Sequence, residues 1–468
     1  MHLTVYDTIC NIISKLNDML WGFGTILLIF GAGIFFTIRI KGFNFIHLVH
    51  IFKSTLFGKN NTSRDGKKGT ISQFQALSTA LAASMGTGNI VGVAAAISVG
   101  GAGAIFWMWV SSLFGTAVAF AENVLGVKYK KFVPEKSFGP MAYISNGLGL
   151  PALAVIYAAV CAAASFGIGN MTQTNAMASA AAEMGISPIF AGVSAALLCG
   201  AIIFRGAKKV ASAAEKIIPV VSVLYFVAAI AVIVIYGNNI IEILKLIFTS
   251  AIGYSQAAGG FLGTVIKKSV SVGLRRGIFS NEAGMGSSVL VHTETECSEP
   301  VQMGMWAVAE VIIDTVICCT LTAFVILLTN ADASGEQGLA MAAEGFRRGL
   351  GEYAAVFVSL SAIIFAFCTL LGWYFYGEKC VRYISENGKE KRTLFLFRTA
   401  YVCAAFLGAV TTPRLVWDTA DILNWVMLVI NLSAVLVLNK EVAEITKCYA
   451  DRVFCKNKTA EKICRKKG

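Results

Sequence analysis

Two short segments carry residue types that could bind an ion or a small zwitterion within an apolar chain: Gly86-Thr87-Gly88-Asn89 and Gly284-Met285-Gly286-Ser287. Each interrupts an otherwise membrane-length apolar run, at corresponding places in two halves of the sequence. A bilayer core has no water for open backbone groups, so a broken helix survives there only where it faces protein or lines a cavity. Its half-helix ends then expose carbonyls that suit a hard cation such as sodium, and amides that suit a carboxylate. A zwitterionic amino acid beside sodium uses both polarities. Glycine allows close approach of the backbone, while Thr87 and Asn89 add a hydroxyl and a carboxamide oxygen. A lone Gly-x-Gly in a membrane helix is more often a packing notch. The matched second element, with Asn281, Glu282, Ser287 and Ser288 beside it, shifts the balance to a binding site.

Ionisable residues inside apolar spans are costly and so are functional candidates: Glu122, Glu282, Glu310 and Asp314. Glu282 is expected to accept hydrogen bonds from unwound backbone and from Arg275 or Arg276, in preference to carrying a proton. Glu310 and Asp314 lie one helical turn apart and share a face, which fits a polar network or a cation path equally. Glu122, beside Asn123 near the end of its span, is expected to be solvated at the interface. Two further stretches read as walls. Ala164 to Asn170 places Phe166 and Asn170 mid-helix with Gln173 and Thr174 beyond, and Thr369 and Trp373 are four apart on one helix face. Thr369 can also satisfy itself on the preceding turn. Tyr374 and Tyr376 read as packing or belt residues.

The elements that must hold these residues are membrane helices. Only 14% of the chain is charged, against about a quarter in soluble domains. At about 20 residues per span the apolar runs give eleven: 20–39, 72–100, 103–128, 151–180, 187–204, 216–236, 264–291, 301–328, 353–378, 394–411 and 419–439. The second and seventh are overlong and glycine-rich, so they form the discontinuous pair. The prolines are expected in loops or near span ends. The N-terminus has no cleavable signal pattern. Segment 42–57 suits an amphipathic surface helix, and 240–262 is either an outer surface helix or the approach to the seventh span.

Basic residues gather in 41–71, 128–150, 205–216, 379–398 and 440–468, which hold 29 of the 39 Lys and Arg. The positive-inside rule then puts the N-terminus outside and the C-terminus in the cytoplasm, with 440–468 as a solvated basic tail. This alternation in loops argues against a nucleic-acid groove. The cysteines sit mostly in apolar runs without metal-ligand spacing, so no haem, zinc or disulfide framework is expected.

The segments Gly86 to Ala94, Gly115 to Tyr129, Arg276 to Ser287 and Thr369 to Lys379 resemble the hallmark segments of the alanine or glycine:cation symporter family, over residues 20 to 440. The resemblance implies an all-α membrane protein with a LeuT-type fold: one extra N-terminal helix (20–39), a first five-helix repeat (72–236) and an inverted second repeat (264–439). It implies sodium-coupled symport of a small neutral amino acid by alternating access in the plasma membrane. By the same resemblance sodium would sit at Ala82, Met85, Ala366 and Thr369. Substrate would sit against Thr87, Gly88, Asn89, Phe166, Asn170 and Ile278, with Trp373 limiting side-chain size, and Asn89 is an alternative ligand for a second sodium. No organic cofactor or obligate protein partner is implied.

The expected function is therefore sodium-coupled transport of alanine or glycine, with glutamine also attributed to members of the group. Proton coupling through Glu282 or Asp314 is the nearest rival. An ion channel would need a continuous pore, and a membrane enzyme would need a nucleophile cluster at a membrane face, which the sequence does not contain.

Overall fold

A computed structural model describes residues 5–58, 71–134, 137–252, 262–385, 388–411 and 413–454. Every regular element among them is helical, and the β-type pairing they show is a single bridge between Ile71 and Thr295. Seven helices are long and apolar enough to cross a bilayer: Gly103–Phe132, Pro151–Glu183, Ala207–Ile235, Pro300–Leu328, Glu352–Ile384, Glu390–Val410 and Val416–Val437. The pair Gln73–Ser84 and Thr87–Gly100, bent by 62°, makes an eighth. This is a multi-pass membrane protein.

The expected count of eleven differs from these seven or eight for local reasons. Gly24–Arg39 and Pro188–Ile203 are apolar helices but shorter than a full span. Leu262–Asn281 carries Lys267, Lys268, Arg275 and Arg276, which lower its hydropathy. Proline also behaves differently at one position. The Ala207–Ile235 helix starts before the expected 216, so Pro219 lies inside it instead of at its end. A proline there removes one backbone hydrogen bond, a loss that packed membrane helices tolerate through neighbouring groups.

Helix starts follow from local chemistry. Ser72 opens the first broken span with a reciprocal capping box: its Oγ accepts from the Gln75 amide at 3.0 Å, and Gln75 Oε1 accepts from the Ser72 amide at 3.0 Å. Pro151, Pro188 and Pro300 occupy first-turn positions, where a missing N–H costs nothing.

The Gly103–Tyr129 helix is the central one, packed on Leu262–Asn281 and Pro300–Val311. Small residues let these backbones approach. A Cβ at Gly277 would lie 2.8 Å from Ser111 Oγ, and one at Gly273 would collide with the Ala104 carbonyl. Ala207–Ile235 is peripheral instead, with Val220, Val223, Leu224, Val227 and Val234 exposed for contact with hydrocarbon.

Several elements lie outside the expected spans. Val5–Leu20 is helical, and its Asn17 donates to Asp418 Oδ1 at 3.1 Å. Gly338–Leu350 forms another helix, and Ile240–Ala251 settles the helical part of the ambiguous 240–262 segment, of which 253–261 are outside the described residues. Segment 42–57 is two short helices, Phe43–Ile46 and Leu48–Thr55. The tail is more ordered than expected: Asn439–Val453 is a helix, Glu441 accepts from Lys128 at 2.6 Å, and residues 455–468 are outside the described residues. Cys448 on that helix is disulfide-bonded, a departure from the reading of the cysteines as thiols.

Candidate functional site

The first break is a sharp one. Helix Gln73–Ser84 ends at Met85 (ψ 73°), Gly86 departs from helical geometry (φ −119°, ψ −141°), and Thr87–Asn89 forms one 3₁₀ turn before Val91–Gly100 resumes. Gly86 is required by space: a Cβ there would collide with Thr369 Oγ1 and lie 3.0 Å from Gln173 Oε1. Gln173 Oε1 also accepts from the Thr87 amide at 3.3 Å. Thr369 bonds the Phe365 carbonyl one turn back at 3.1 Å, as its residue type permits. One turn further along the same helix, a Cβ at Gly372 would lie 2.7 Å from the Ala83 amide nitrogen, so the Glu352–Ile384 helix is pressed against the end of Gln73–Ser84.

Of the four positions considered for sodium, Thr369 thus lies against the break and Met85 caps its first half. Ala82 is buried in the same half-helix, while Ala366 clusters with Met177 and Ala195.

The other side of the first break meets the helix that leads into the second. A Cβ at Gly88 would lie 3.6 Å from Phe279 and 3.7 Å from Ser280 Cα. Asn89 donates to Asp314 Oδ1 at 2.8 Å and to the Asp314 carbonyl at 3.0 Å, with Ser280 Oγ at 3.3 Å. Ser280 and Thr315 hydroxyls both donate to Asp314 Oδ2, at 2.6 and 2.7 Å. Asp314 is fully buried in a π-helical stretch, Ile312–Cys319, of the kind that recurs at functional sites. Thr87 Oγ1 and Asn89 Oδ1 are both buried without a hydrogen-bond partner. Other buried polar atoms share this state, among them Ser84 Oγ and Asn281 Nδ2 beside the two breaks, so polar groups without a partner among the described residues gather around both interruptions.

At the second break Glu282 has φ 55°, with Gly284 and Gly286 at 88° and 77°. A non-glycine residue in the left-handed region is strained and marks a constrained site. Glu282 accepts from Ser287 Oγ at 2.6 Å and from Trp373 Nε1 at 2.9 Å. The arginine partners expected for it are engaged elsewhere: Arg275 pairs with Asp421, and Arg276 stacks over Phe279 and Trp417. Asn431 closes the unwound segment, donating to Glu122 Oε2 at 2.7 Å and to the Gly284 carbonyl at 2.8 Å. Glu122 is therefore buried and hydrogen-bonded, not solvated at an interface. Glu310 bonds His292 Nε2 at 2.9 Å, both buried.

The proposed walls occupy different places. Ile278 is buried one turn before the second break. Trp373 is fully buried between Glu282 and Tyr376, whose ring it meets edge-on at 5.5 Å. Phe166 is half-buried against Phe397 and Tyr401, and Asn170 Nδ2 donates to the Tyr401 carbonyl at 2.7 Å. These two face the Glu390–Val410 helix. Gln173 is the residue of their span that reaches the break, and it with Asp314 and Asn431 makes contacts that no local spacing announces.

The sodium:alanine symporter family, compared as a whole, matches residues 6–463. The chain is 38% identical over 454 residues to an uncharacterized transporter of Haemophilus influenzae, covering 95% of this chain and 97% of that one. It is 37% identical over 450 residues to a sodium/alanine symporter of Methanococcus maripaludis, covering 94% and 97%. It is also 37% identical over 445 residues to a probable sodium/glutamine symporter of Bacillus subtilis, covering 94% and 90%.

Proposed function

This chain belongs to the sodium:alanine symporter family, and from that premise we propose that it couples sodium to the movement of alanine or glycine across the plasma membrane by alternating access. It is a transporter, not an enzyme. The observation that carries the reading is the meeting of the two broken helices at Gly88 and Ser280, where Asn89 bonds Ser280 and Asp314, while Thr87 Oγ1 and Asn89 Oδ1 are buried with no hydrogen-bond partner among the described residues. Carboxylate oxygens of Asp314, with the Asn89 carboxamide and the Ser280 hydroxyl, form a hard oxygen set suited to sodium. The Thr369 hydroxyl against Gly86 supports a sodium position on the other side of the turn, for which Ala82, Met85 and Ala366 are the further candidates. The Gly88 amide suits a substrate carboxylate, the Thr87 amide being held by Gln173 Oε1. The close approach of Phe279 to Gly88 favours a small substrate over glutamine.

A five-plus-five inverted arrangement is supported by matching lengths in the two halves. Gly103–Phe132 corresponds to Pro300–Leu328 (30 and 29 residues), and Pro151–Glu183 corresponds to Glu352–Ile384 (33 each). A bend or break precedes each set. An inside C-terminus is supported by basic side chains on one face: Lys128 reaches Glu441, and Arg39 reaches Asn439. Sodium must favour the state that also binds substrate well, which makes the coupling reciprocal.

Labelled alanine and glycine uptake into proteoliposomes tests this, with a sodium gradient, with potassium substituted, and with a proton gradient alone. Sodium-dependent accumulation is expected. Proton-driven uptake without sodium would favour the second reading, which rests on Glu122, Glu282 and Asp314 being buried without an ion pair among the described residues. Uptake of glutamine but neither small amino acid would overturn the substrate.

A further inference from the structure

The end of the Phe23–Arg39 helix, the turn and short helix that follow it as far as His47, and the Asn439–Val453 helix form a cleft of about 540 Å³, a volume typical of small-ligand sites. Four basic side chains border it: Arg39 and Lys41 from the end of the Phe23–Arg39 helix and the turn after it, and Lys440 and Lys447 from two turns of the Asn439–Val453 helix. Among the described residues none of the four makes an ion pair, although Arg39 Nε holds Asn439 Oδ1 at 2.9 Å. Two carboxylates, Glu444 and Asp451, also line the cleft, so it retains a positive excess. Lys41 is held at φ 54°, a left-handed conformation that a lysine adopts only where the surrounding structure imposes it.

The depth of the cleft is set by its neighbours. Ile38 and Val437, each 68% exposed or more, need hydrocarbon around them. Arg39, Lys41 and Lys440 follow within three residues, or about 5 Å along a helix, which is the level of lipid headgroups. Ile46 and Val49 on the adjacent short helices are 72% and 70% exposed and extend the apolar surface along the same boundary. The Phe454 ring stacks on His47 at 4.0 Å and fastens the end of the Asn439–Val453 helix beside the cleft.

We propose that this cleft binds the phosphate group of an anionic phospholipid, held by Lys41, Lys440 and Lys447 with Arg39 beside them. Basic pockets at the ends of membrane helices are suited to such headgroups, because each ammonium adds attraction to a fixed phosphate. The exposed isoleucine and valine side chains favour a lipid over a soluble phosphate, since they offer the acyl chains a surface that a free ion would not use. The site is independent of the transport reading, and a failure of either leaves the other standing.

The test uses the full chain reconstituted in phosphatidylcholine alone or mixed with phosphatidylglycerol, followed by extraction and native mass spectrometry of retained lipid. Wild-type protein is expected to retain phosphatidylglycerol over phosphatidylcholine. The K41Q/K440Q/K447Q variant is expected to lose that retention by roughly fivefold per lysine removed. K208Q/K209Q removes two exposed charges elsewhere and should retain lipid like wild type. Retention that survives a wash with inorganic phosphate assigns the ligand to lipid, whereas displacement by phosphate overturns that source. No preference for phosphatidylglycerol, or equal loss in both lysine variants, overturns the site itself. Folding of the variants is read separately from monodispersity, which exposed Lys-to-Gln changes should leave intact.

Discussion

Asp314 is the residue on which the proposed ion coupling turns. Its carboxylate is buried and receives Asn89, Ser280 and Thr315, with no basic partner among the described residues. A charge so placed is costly unless something neutralises it. If sodium does, Asp314→Asn should raise the sodium concentration for half-maximal uptake by roughly 10- to 100-fold, since one charge-assisted contact contributes about 1.5–3 kcal/mol. Unchanged sodium dependence in that variant would move the ion to Thr369 alone. Thr87→Val removes the unpartnered hydroxyl, and Trp373→Ala removes the donor to Glu282, so each should cut alanine uptake while leaving membrane insertion intact. Wild-type uptake by both would dismiss this site assignment. The sequence shows which residues break the helix, because Gly-Thr-Gly-Asn carries its own backbone logic. It does not show that Asn89 bonds Asp314, 225 positions away, or that Trp373 reaches Glu282, because those pairings arise only when the helices pack.

At the scale of elements, glycine has two distinct uses in the first break, and they separate by substitution. A methyl at Gly86 would collide with Thr369 Oγ1, so Gly86→Ala should destabilise by about 1–3 kcal/mol through overpacking and abolish uptake. A methyl at Gly88 would meet Phe279 at 3.6 Å, an ordinary contact, so Gly88→Ala should keep its thermal stability in detergent. Equal melting temperatures for the two variants would contradict this account. Most spans were legible from apolar length, because a bilayer imposes one ruler on every helix. Of the amphipathic elements, 42–57 and the start of 240–262 were legible, and three others were not. Val5–Leu20, Gly338–Leu350 and Asn439–Val453 mix charged and apolar residues, and their helical state depends on the surface each packs against. Pro219 misled for a related reason, since a proline that marks a boundary in water can lie inside a packed membrane helix.

For the whole molecule, alternating access requires contacts that exist in one state and are lost in the other. The segment after the second break is fastened at two points on the basic face. Glu294 pairs with Lys379 at 2.5 Å, both side chains nearly buried, and Lys130 Nζ donates to the carbonyls of Thr295 and Cys297 at 2.8 and 2.7 Å. Opening this face by moving the second broken helix must separate these groups, since Lys379 and Lys130 belong to other spans. Removing one partner weakens the compensation of a nearly buried charge, so the closed state loses more than a surface pair would contribute. If sodium favours the state in which this face is closed, weakening that state must lower apparent sodium affinity by the same factor that shifts the population. Glu294→Gln and Lys379→Gln should therefore each raise the half-maximal sodium concentration several-fold. The double variant should do no worse than either alone, because the pair can be broken only once. Additive effects would assign the two residues separate roles. Unchanged sodium affinity in both single variants would show that this pair serves packing and takes no part in the coupling.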